Sequence, residues 1–327
     1  MQTTDRPLIS LIVITYNSAD LLPAFFAAIE TTRYAPYEVL VVDNASSDGT
    51  TQAVAARHPA ARLLANAENV GFGRACNQGA QAARGELLVF LNPDVIVTPD
   101  WLAILARHMA ERPDAGIICP TTLYPDERPS TFERSNVQTF ERSSGVGETA
   151  AVPGGALMIR RAAWERLGGF DEAYFLYWED TDLCWRAWLL DWRVLEDFEA
   201  CVYHERGGSA GSQRWDAERT KNGLRTYLKV MRWRQAAPFA VLLAAKTLAK
   251  IALRRQGGLL AAWAWNWQHL GETLARRREL ARARRRDPAE LERLAAIHER
   301  RGHKARLARR RVVAQAKAVP PAPKSGD

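Results

Sequence analysis

Four apolar, β-branched segments begin the chain, and helical patterns of similar length separate them. The segments are LISLIVITYN at 8–17, YEVLVVDN at 37–44, ARLLANAE at 61–68 and ELLVFLNPDV at 86–95. Strands that alternate with helices form βαβ units, whose strands run parallel within one sheet. The order of these segments therefore predicts an α/β fold with a mostly parallel central sheet.

Polar residues follow these strands at the points where they end. Thr15 and Asn17 close the first segment, Asp43 closes the second, and Asn92 and Asp94 close the fourth. In open α/β sheets, ligands bind at the carboxyl ends of the strands. We therefore predict a ligand site at this edge of the sheet.

The sequence LNPDV places Asn92 and Asp94 directly after an apolar strand. Amide and carboxylate oxygens in such a position suit Mg²⁺ or Mn²⁺ holding a diphosphate. Asn-Pro-Asp is also a common turn sequence, so a turn without a cation stays open. His204 follows a later apolar segment, CVYH, and is either a hydrogen-bonded structural residue or a further contact of the same site.

The glycine-containing segment NVGFGRACNQG at 69–79 follows the third predicted strand. A dinucleotide fingerprint requires G-x-G-x-x-G directly after the first strand, so NAD binding is not predicted. The chain also lacks the P-loop pattern. Gly71 and Gly73 still permit close approach of the backbone to a ligand, with Arg74 as an anion contact. A plain strand-to-helix turn is the alternative.

The aromatic stretch FLYWEDTDLCWRAW at 175–188 contains three carboxylates. Burying an unpaired carboxylate is costly, so these acids need partners or a function. Asp182 can pair with Arg186 at i, i+4 on a helix, and Asp180 can act as the N-cap of that helix. These two interpretations require no catalytic role.

A functional interpretation of the same stretch places Glu179 and Asp180 at an exposed helix tip. Asp180 could there accept a proton from a bound hydroxyl. The rings of Tyr177 and Trp178 would provide a stacking surface for a sugar and partly exclude water. The residues alone leave both interpretations open.

The compact domain is predicted to end near residue 213. An amphipathic helix at 99–114 and a strand at 115–124 continue the alternation, and the polar stretch 125–150 is predicted to be an irregular loop over the site.

Four scattered cysteines favour reduced thiols in the cytosol. The apolar N-terminus is predicted to be a strand rather than a signal peptide.

Residues 214–270 are predicted to form a separate amphipathic, tryptophan-rich helical region. Lys246, Lys250 and Arg254 share one helix face, and the segment 261–270 adds three tryptophans. Such a region could dock on a membrane surface. It could instead form a helical hairpin that packs on its own domain or on a second subunit.

Residues 271–327 are predicted to form a basic helical tail ending in a disordered segment. They hold 17 Lys and Arg against 7 Asp and Glu, a balance of +10, whereas the whole chain carries +8. We expect this tail to contact an anionic membrane surface. The tail lacks the regular aromatic residues of single-strand binders, so no nucleic acid is expected as a partner.

Six segments in this order resemble the family 2 glycosyltransferases, which are inverting enzymes, and most of all their rhamnosyltransferase branch. They are VITYN, VVDNASSDGT, NVGFGRACNQG, FLNPDV, PGGALMIRRAAWERLGGFDEAYFLYWEDTDLCWR and VYHERGGS, spread over about residues 8–213. The resemblance implies a GT-A-type, Rossmann-like domain at 1–213, followed by the helical basic C-terminal extension.

The resemblance also implies roles for individual residues. The nucleotide pocket would be formed by Thr15, Asn17, Asp43, Arg74 and Asn77. A divalent cation, Mg²⁺ or Mn²⁺, would be held by Asp94, Asn92 and His204. Asn92 replaces the first acid of the family's metal motif, so weaker cation binding is expected. Asp180 would be the catalytic base, and Glu179, Tyr177 and Trp178 would contact the acceptor or its sugar.

The implied reaction moves a sugar from a nucleotide-sugar donor to a hydroxyl of a cell-surface glycan or polyprenyl-linked acceptor. L-Rhamnose from dTDP-rhamnose is the first choice, with UDP-hexose, UDP-galactofuranose and a non-catalytic membrane-associated scaffold as alternatives. A nucleotidyltransferase would need a Gly- and Arg-rich loop where this chain has TYNSADLL. The expected location is cytoplasmic, peripheral at the inner face of the plasma membrane. Acceptor, linkage and oligomeric state, a homo-oligomer included, stay open.

Overall fold

The computed structural model describes residues 6–123, the backbone of 137–141, and residues 145–204, 215–254 and 256–296. The strands are β1 (Ile9–Thr15), β2 (Tyr37–Asp43), β3 (Arg62–Ala65), β4 (Leu87–Leu91), β5 (Val95–Val97), β6 (Ala115–Leu123), β7 (Val137–Glu141), β8 (Val146–Thr149), β9 (Ala156–Arg160) and β10 (Arg193–His204). The helices are α1 (Leu22–Glu30), α2 (Thr50–Arg57), α3 (Phe72–Ala82), α4 (Trp101–Glu111), α5 (Arg161–Leu167), α6 (Glu179–Leu189), α7 (Asp216–Val230), α8 (Trp233–Arg254), α9 (Leu259–Gln268) and α10 (Leu270–Ala283), with a further helical segment at 288–296.

One central sheet carries the fold, in the order β3-β2-β1-β4-β9-β6-β10-β8-β7, with β5 on β10. The first four strands are parallel, as the alternating pattern predicts. From β9 onward the sheet is mixed, because β9 runs antiparallel to both neighbours while β10 is parallel to β6. The structure therefore confirms the α/β class, with the parallel part in the N-terminal half.

Both faces of the sheet are buried, which explains the near-continuous apolar runs of its strands. All seven residues of β1 are buried. Leu11 and Val13 pack with α1 and α4, whereas Ile12 and Ile14 point to the opposite face, where α3, α5 and α6 lie. Because β1 to β4 run parallel, the loops that follow them lie at one edge of the sheet.

The prediction of an irregular loop at 125–150 is wrong for two parts of that stretch. β7 and β8 pair antiparallel, and β8 in turn pairs with β10. Part of β10 thereby gains partners for backbone groups that would otherwise lie at a sheet edge. Residues 124–136 and 142–144 lie outside the described residues, as do 205–214 and 297–327, so the mobile loop and the tail stay predictions there.

Helix α7 carries buried cations that pair with acids on both sides of it in the chain. Lys229 Nζ lies 2.6 Å from Asp171 Oδ2 and 2.7 Å from Asp182 Oδ1. The guanidinium of Arg225, whose side chain is fully buried, lies 3.1 Å from Asp171 and 2.7 Å from Glu272 of α10. Buried charges need such partners. The domain boundary near residue 213 stays a prediction, and tight packing crosses it.

Helices α8 and α9 pack on α7. Phe239 of α8 stacks on Tyr227 of α7, with ring centroids 3.6 Å apart. The side-chain amide of Asn266 in α9 donates to the backbone carbonyl of Lys221, 3.0 Å away. These contacts correspond to the hairpin interpretation of this region, in which it packs on its own chain.

Candidate active site

The ends of β1 and β2 bring three of the predicted nucleotide residues together. Asp43 is buried, and its Oδ1 accepts a hydrogen bond from the Thr15 hydroxyl, 2.8 Å away. The backbone N–H and the hydroxyl of Ser46 donate to the same carboxylate at 2.9 and 2.6 Å. Asn17, in the left-handed region at φ 49°, accepts from the N–H of Ser47 at 2.9 Å. The two loops thus form one hydrogen-bonded unit, and nucleotide binding by it stays a prediction.

The other two predicted nucleotide residues lie on α3 and point to a different partner. The Asn77 amide donates to the carbonyl of Phe170 at 3.0 Å and accepts from its N–H at 2.9 Å. It also donates to Glu172 at 3.0 Å, and the half-exposed Arg74 lies 3.7 Å from the same carboxylate. Asn77 therefore fastens the segment before α6 to α3. A nucleotide contact by either residue stays a prediction.

Asp94 and His204 approach each other because β5 pairs with the end of β10. His204 lies opposite Val95, and its Nε2 is 3.1 Å from Asp94 Oδ2. Asp94 Oδ1 is buried and has no hydrogen-bond partner among the described residues. A buried carboxylate oxygen without a donor is a fitting ligand for a cation.

The donor set at Asp94 is small. Within the described ranges, no group of three or more His, Cys, Asp or Glu could hold a metal. Asp94 and His204 supply two such ligands, and the Asn92 amide could add an oxygen. Mg²⁺ and Mn²⁺ commonly take further oxygens from substrate phosphates, so the set fits a cation that arrives with a diphosphate.

Asp180 lies in the first turn of α6, so its prediction as an N-cap is wrong. Trp178 occupies the cap position, and Asp180 falls one residue inside the helix. Its Oδ1 accepts from the N–H of Thr181 at 2.6 Å, and its Oδ2 accepts from the N–H of Gly154 at 3.1 Å. The carboxylate is therefore fixed by two backbone donors from separate elements.

Two consecutive glycines join Asp180 to the predicted metal residues. A Cβ on Gly154 would lie 3.5 Å from the Cβ of Asp180, and a Cβ on Gly155 would lie 3.4 Å from the Asn92 amide nitrogen. Asn92 also donates its N–H to the Gly155 carbonyl at 2.9 Å. The two glycines thus form a chain of contacts that runs from Asp180 to Asn92. The two glycines were not among the predicted site residues, and the PGG segment before β9 is their signal in the sequence.

Glu179 is buried, with 6% of its surface exposed, so the prediction of an exposed tip is wrong for it. Burial, followed by the charge of Asp180, raises the pKa of Glu179 to about 8. Burial also raises the pKa of Asp180, and its hydrogen bonds oppose this shift. At neutral pH Glu179 keeps its proton, and the N–H groups of Gly154 and Thr181 favour the ionised form of Asp180. The Asp182–Arg186 pair predicted beside them is present at 2.8 Å.

The aromatic residues before α6 form a tight turn. Gly71, at φ 87°, lies so close that an added Cβ would meet the carbonyl oxygen of Phe175 at 2.7 Å. The guanidinium of Arg219 covers the ring of Tyr177 at 4.0 Å. Trp178 packs edge-on against Trp185 and contacts α7, which places its ring in the packing between α6 and α7. Contact of Tyr177 or Trp178 with a sugar stays a prediction.

The model of the family described as Glycosyl transferase family 2 matches residues 10–198. This chain belongs to that family. The match includes every predicted site residue except His204. The chain is therefore a glycosyltransferase, as the resemblance of the six motifs implied.

A curated relative is the N-acetylglucosaminyl-diphospho-decaprenol L-rhamnosyltransferase of Mycobacterium tuberculosis. It is 29% identical over 242 residues, which cover 62% of this chain and 77% of the relative. An O-antigen biosynthesis protein of Myxococcus xanthus is also 29% identical, over 62% of this chain but only 18% of its own length. Both are named for bacterial glycan assembly or for rhamnosyl transfer.

Solved glycosyltransferases share the fold. A mannosyltransferase of Pyrobaculum calidifontis in complex with GDP-Man and Mn²⁺ aligns with a TM-score of 0.58 at 25% identity, over 92% of this chain and 88% of its own. GalNAc-T7 with UDP, GalNAc and Mn²⁺ aligns with a TM-score of 0.57 at 16% identity, over 72% of this chain. The alignment spans half the length of GalNAc-T7, and this likeness concerns the fold alone.

Proposed function

We propose that this glycosyltransferase moves L-rhamnose from dTDP-rhamnose to a hydroxyl of a polyprenyl-linked glycan, with inversion at the anomeric carbon. The observation that carries the proposal is the Asp180 carboxylate, which the N–H groups of Gly154 and Thr181 hold in place and which contacts through Gly154 and Gly155 link to Asn92. The name of the Mycobacterium relative supports the choice of sugar and of a lipid-linked acceptor.

In this mechanism Asp180 accepts the proton of the acceptor hydroxyl as that oxygen attacks the anomeric carbon. The bond from the anomeric carbon to the leaving diphosphate oxygen breaks in the same step, so the configuration inverts. The N–H groups of Gly154 and Thr181 keep the carboxylate oriented. Asp94, Asn92 and His204 would hold the divalent cation, which when bound offsets charge on the departing diphosphate.

Calorimetric titration with dTDP-rhamnose tests the donor and the cation site. We expect binding in Mg²⁺ or Mn²⁺ that weakens about 10–100-fold with chelator and in Asp94→Ala, because removing a metal contact costs roughly this much affinity. Asp100→Ala, which removes an exposed aspartate paired with Arg33, is the matched control and should bind like the wild type. Saturable binding of UDP-hexose or UDP-galactofuranose instead would replace the proposed donor. Folded protein that binds no nucleotide sugar would favour the scaffold alternative.

The C-terminal helices support a proposed site on the inner face of the plasma membrane. Residues 219–271 contain ten Lys and Arg and no Asp or Glu, and seven of these ten cations pair with acids outside the segment. The outward side of α8 exposes apolar residues, among them Val241 at 71%, Leu248 at 64% and Leu253 at 84%. An exposed apolar helix face suits a lipid surface, with Lys246 and the basic residues after position 271 as the source of attraction to anionic lipids.

The orientation we propose for α8 is parallel to the membrane plane. Among the described residues, Trp233–Leu253 is the helix long and apolar enough to cross a bilayer, with a mean hydropathy of 1.6. Its inner side, however, is tied to α7: Phe239 stacks on Tyr227, and Lys250 lies 2.8 Å from Asp216. A helix held along one side to a protein domain can lie on a bilayer without spanning it.

Vesicle sedimentation tests this surface. We expect binding to phosphatidylglycerol-containing vesicles that falls as salt rises, and little binding to phosphatidylcholine. Leu242→Gln with Leu248→Gln should weaken binding about 100-fold or more, since burying each leucine contributes about 1.5 kcal/mol or more. Leu63→Gln on β3 is the control for an exposed leucine elsewhere. If the α8 double variant and Leu63→Gln bind the vesicles equally well, this face of α8 does not contact lipid. If the wild type dimerises and the α8 variant does not, a second copy of the chain is the partner of this face.

A further inference from the structure

The turn that leads into α6 has an unusual backbone. Tyr177 and Trp178 both adopt left-handed conformations, at φ 71° and 73°. Bulky side chains rarely adopt such angles, and two in succession persist only where surrounding contacts hold them. Glu179 and Asp180 follow directly, so these contacts also set where the two carboxyl groups point.

Asn222 of α7 supplies the hydrogen bonds on one side of this turn. Its side-chain amide donates to the carbonyls of Leu176 at 3.0 Å and Tyr177 at 2.8 Å. The residue is fully buried. These carbonyls belong to the peptide groups on either side of Tyr177. Asn222 therefore fixes the first strained residue at both ends.

The residue after Asn222 extends the same contact. A Cβ on Gly223 would lie 3.1 Å from the indole of Trp178, a tight contact that would require the indole or α7 to shift by a few tenths of an ångström. Asn and Gly both disfavour the interior of a helix. Their presence together in the middle of α7 is therefore explained by contact with the turn and not by the needs of the helix.

The opposite side of the turn is held by the loop before α3. The N–H of Phe72 donates to the carbonyl of Phe175 at 2.8 Å, and Gly71 leaves room for this approach. The turn is thus clamped between two elements. Among the described residues, the hydrogen bonds to the Leu176 and Tyr177 carbonyls come from Asn222 of α7.

We propose that Asn222 is a positioning residue for catalysis, which holds the 175–178 turn so that α6 presents Asp180 to the acceptor hydroxyl. The inference rests on the proposed role of Asp180 as the base. The turn contains none of the candidate nucleotide or cation residues. Loss of Asn222 should therefore lower kcat and leave donor binding unchanged.

Asn266 of α9 is a matched control for Asn222. It is also buried, and its amide also donates to two backbone carbonyls, those of Lys221 at 3.0 Å and Ala262 at 2.9 Å. In both residues, Oδ1 has no hydrogen-bond partner within the described part of the chain. Alanine at either position removes the same amide and its two hydrogen bonds to backbone carbonyls; at Asn222 it also removes a longer contact, 3.5 Å, with Glu218. A difference in kcat between them therefore reports the turn and not a general loss of stability.

The experiment compares Asn222→Ala with Asn266→Ala at saturating donor and acceptor, at a temperature where both are folded. We expect kcat to fall about 10–100-fold in Asn222→Ala and to stay within about twofold of wild type in Asn266→Ala, since misplacing a reacting group by about 1 Å can cost 10²-fold. The calorimetric Kd for the donor should be unchanged in both. Equal kcat values in the two variants, whether high or low, would overturn the inference.

Gly223→Ala keeps the test decisive if Asn222→Ala does not fold. Alanine favours the helix, so stability should be kept, while its methyl group crowds Trp178 and should lower kcat about 3–10-fold. Gly271→Ala, where no atom lies within 4 Å of the added Cβ, is the control. Wild-type kcat in Gly223→Ala would count against the proposal. If Asp180→Asn keeps the activity of the wild type, the proposed function itself is refuted, because Asp180 is then not the base.

Discussion

Replacing Asp180 by asparagine should lower kcat about 10²–10⁴-fold, because an amide cannot accept the proton of the acceptor hydroxyl. The donor should still bind, since none of the residues proposed to contact it lies in α6. The folded state should be only slightly weakened. The new amide must present its NH₂ group to the N–H of either Gly154 or Thr181, which costs roughly one hydrogen bond, about 1 kcal/mol.

Three measurements separate this chemical effect from misfolding: turnover at saturating substrates, the melting temperature and the Kd for the donor. Asp191→Asn is the control. Asp191 has a left-handed backbone that asparagine tolerates, lies just beyond the end of α6 and makes a half-exposed ion pair with Arg286. It should keep full activity. An Asp180→Asn variant that is folded, binds the donor and retains more than about a third of wild-type kcat would end the assignment of Asp180 as the base.

The sequence was most informative where one local rule decides the structure. The alternation of apolar strands with helices predicts the parallel half of the sheet, because each strand must be buried on both faces. The same rule brings Thr15, Asn17 and Asp43 together, since the carboxyl ends of parallel strands share one edge. The i, i+4 spacing of Asp182 and Arg186 predicts their ion pair, which needs only a helix.

The sequence was least informative where distant elements meet. Whether Glu179 is exposed depends on packing that involves α6 and α7, and nothing in the aromatic stretch itself reports this packing. β8 was predicted to be loop because its strand is stabilised by pairing with β10, whose residues lie about fifty positions away and leave no local pattern in 146–149. Asn222 and Gly223 both have low helix propensity, so their position inside a helix was a signal of tertiary contact. The sequence does not say which segment they contact.

The free energy of unfolding of the wild type should fall as pH rises from about 4.5 to about 8, and Glu179→Gln should remove much of this fall. Glutamates of the unfolded chain titrate near 4.5, whereas the pKa of Glu179 in the folded protein is about 8. Between these values the folded state holds a proton that the unfolded state has lost. Folding is therefore penalised increasingly through this range and fully above it.

At pH 9 Glu179→Gln should be more stable than the wild type by on the order of 2–4 kcal/mol, since a tenfold change in proton affinity corresponds to about 1.4 kcal/mol. Part of this gain in stability arises because the glutamine removes the repulsion between the carboxylates of Glu179 and Asp180. Near pH 4.5 the two proteins should be alike, because a protonated glutamic acid and a glutamine are both neutral.

Denaturant unfolding across pH 4.5–9 checks this prediction, with Glu165→Gln as the control. Glu165 lies exposed on α5, so its replacement removes the same charge without changing a buried group. Its curve should run parallel to that of the wild type. If the Glu179→Gln curve is also parallel, Glu179 does not hold a proton in the folded protein at neutral pH. The pair would then carry two charges, and burial would no longer explain why Asp180 and not Glu179 serves as the base.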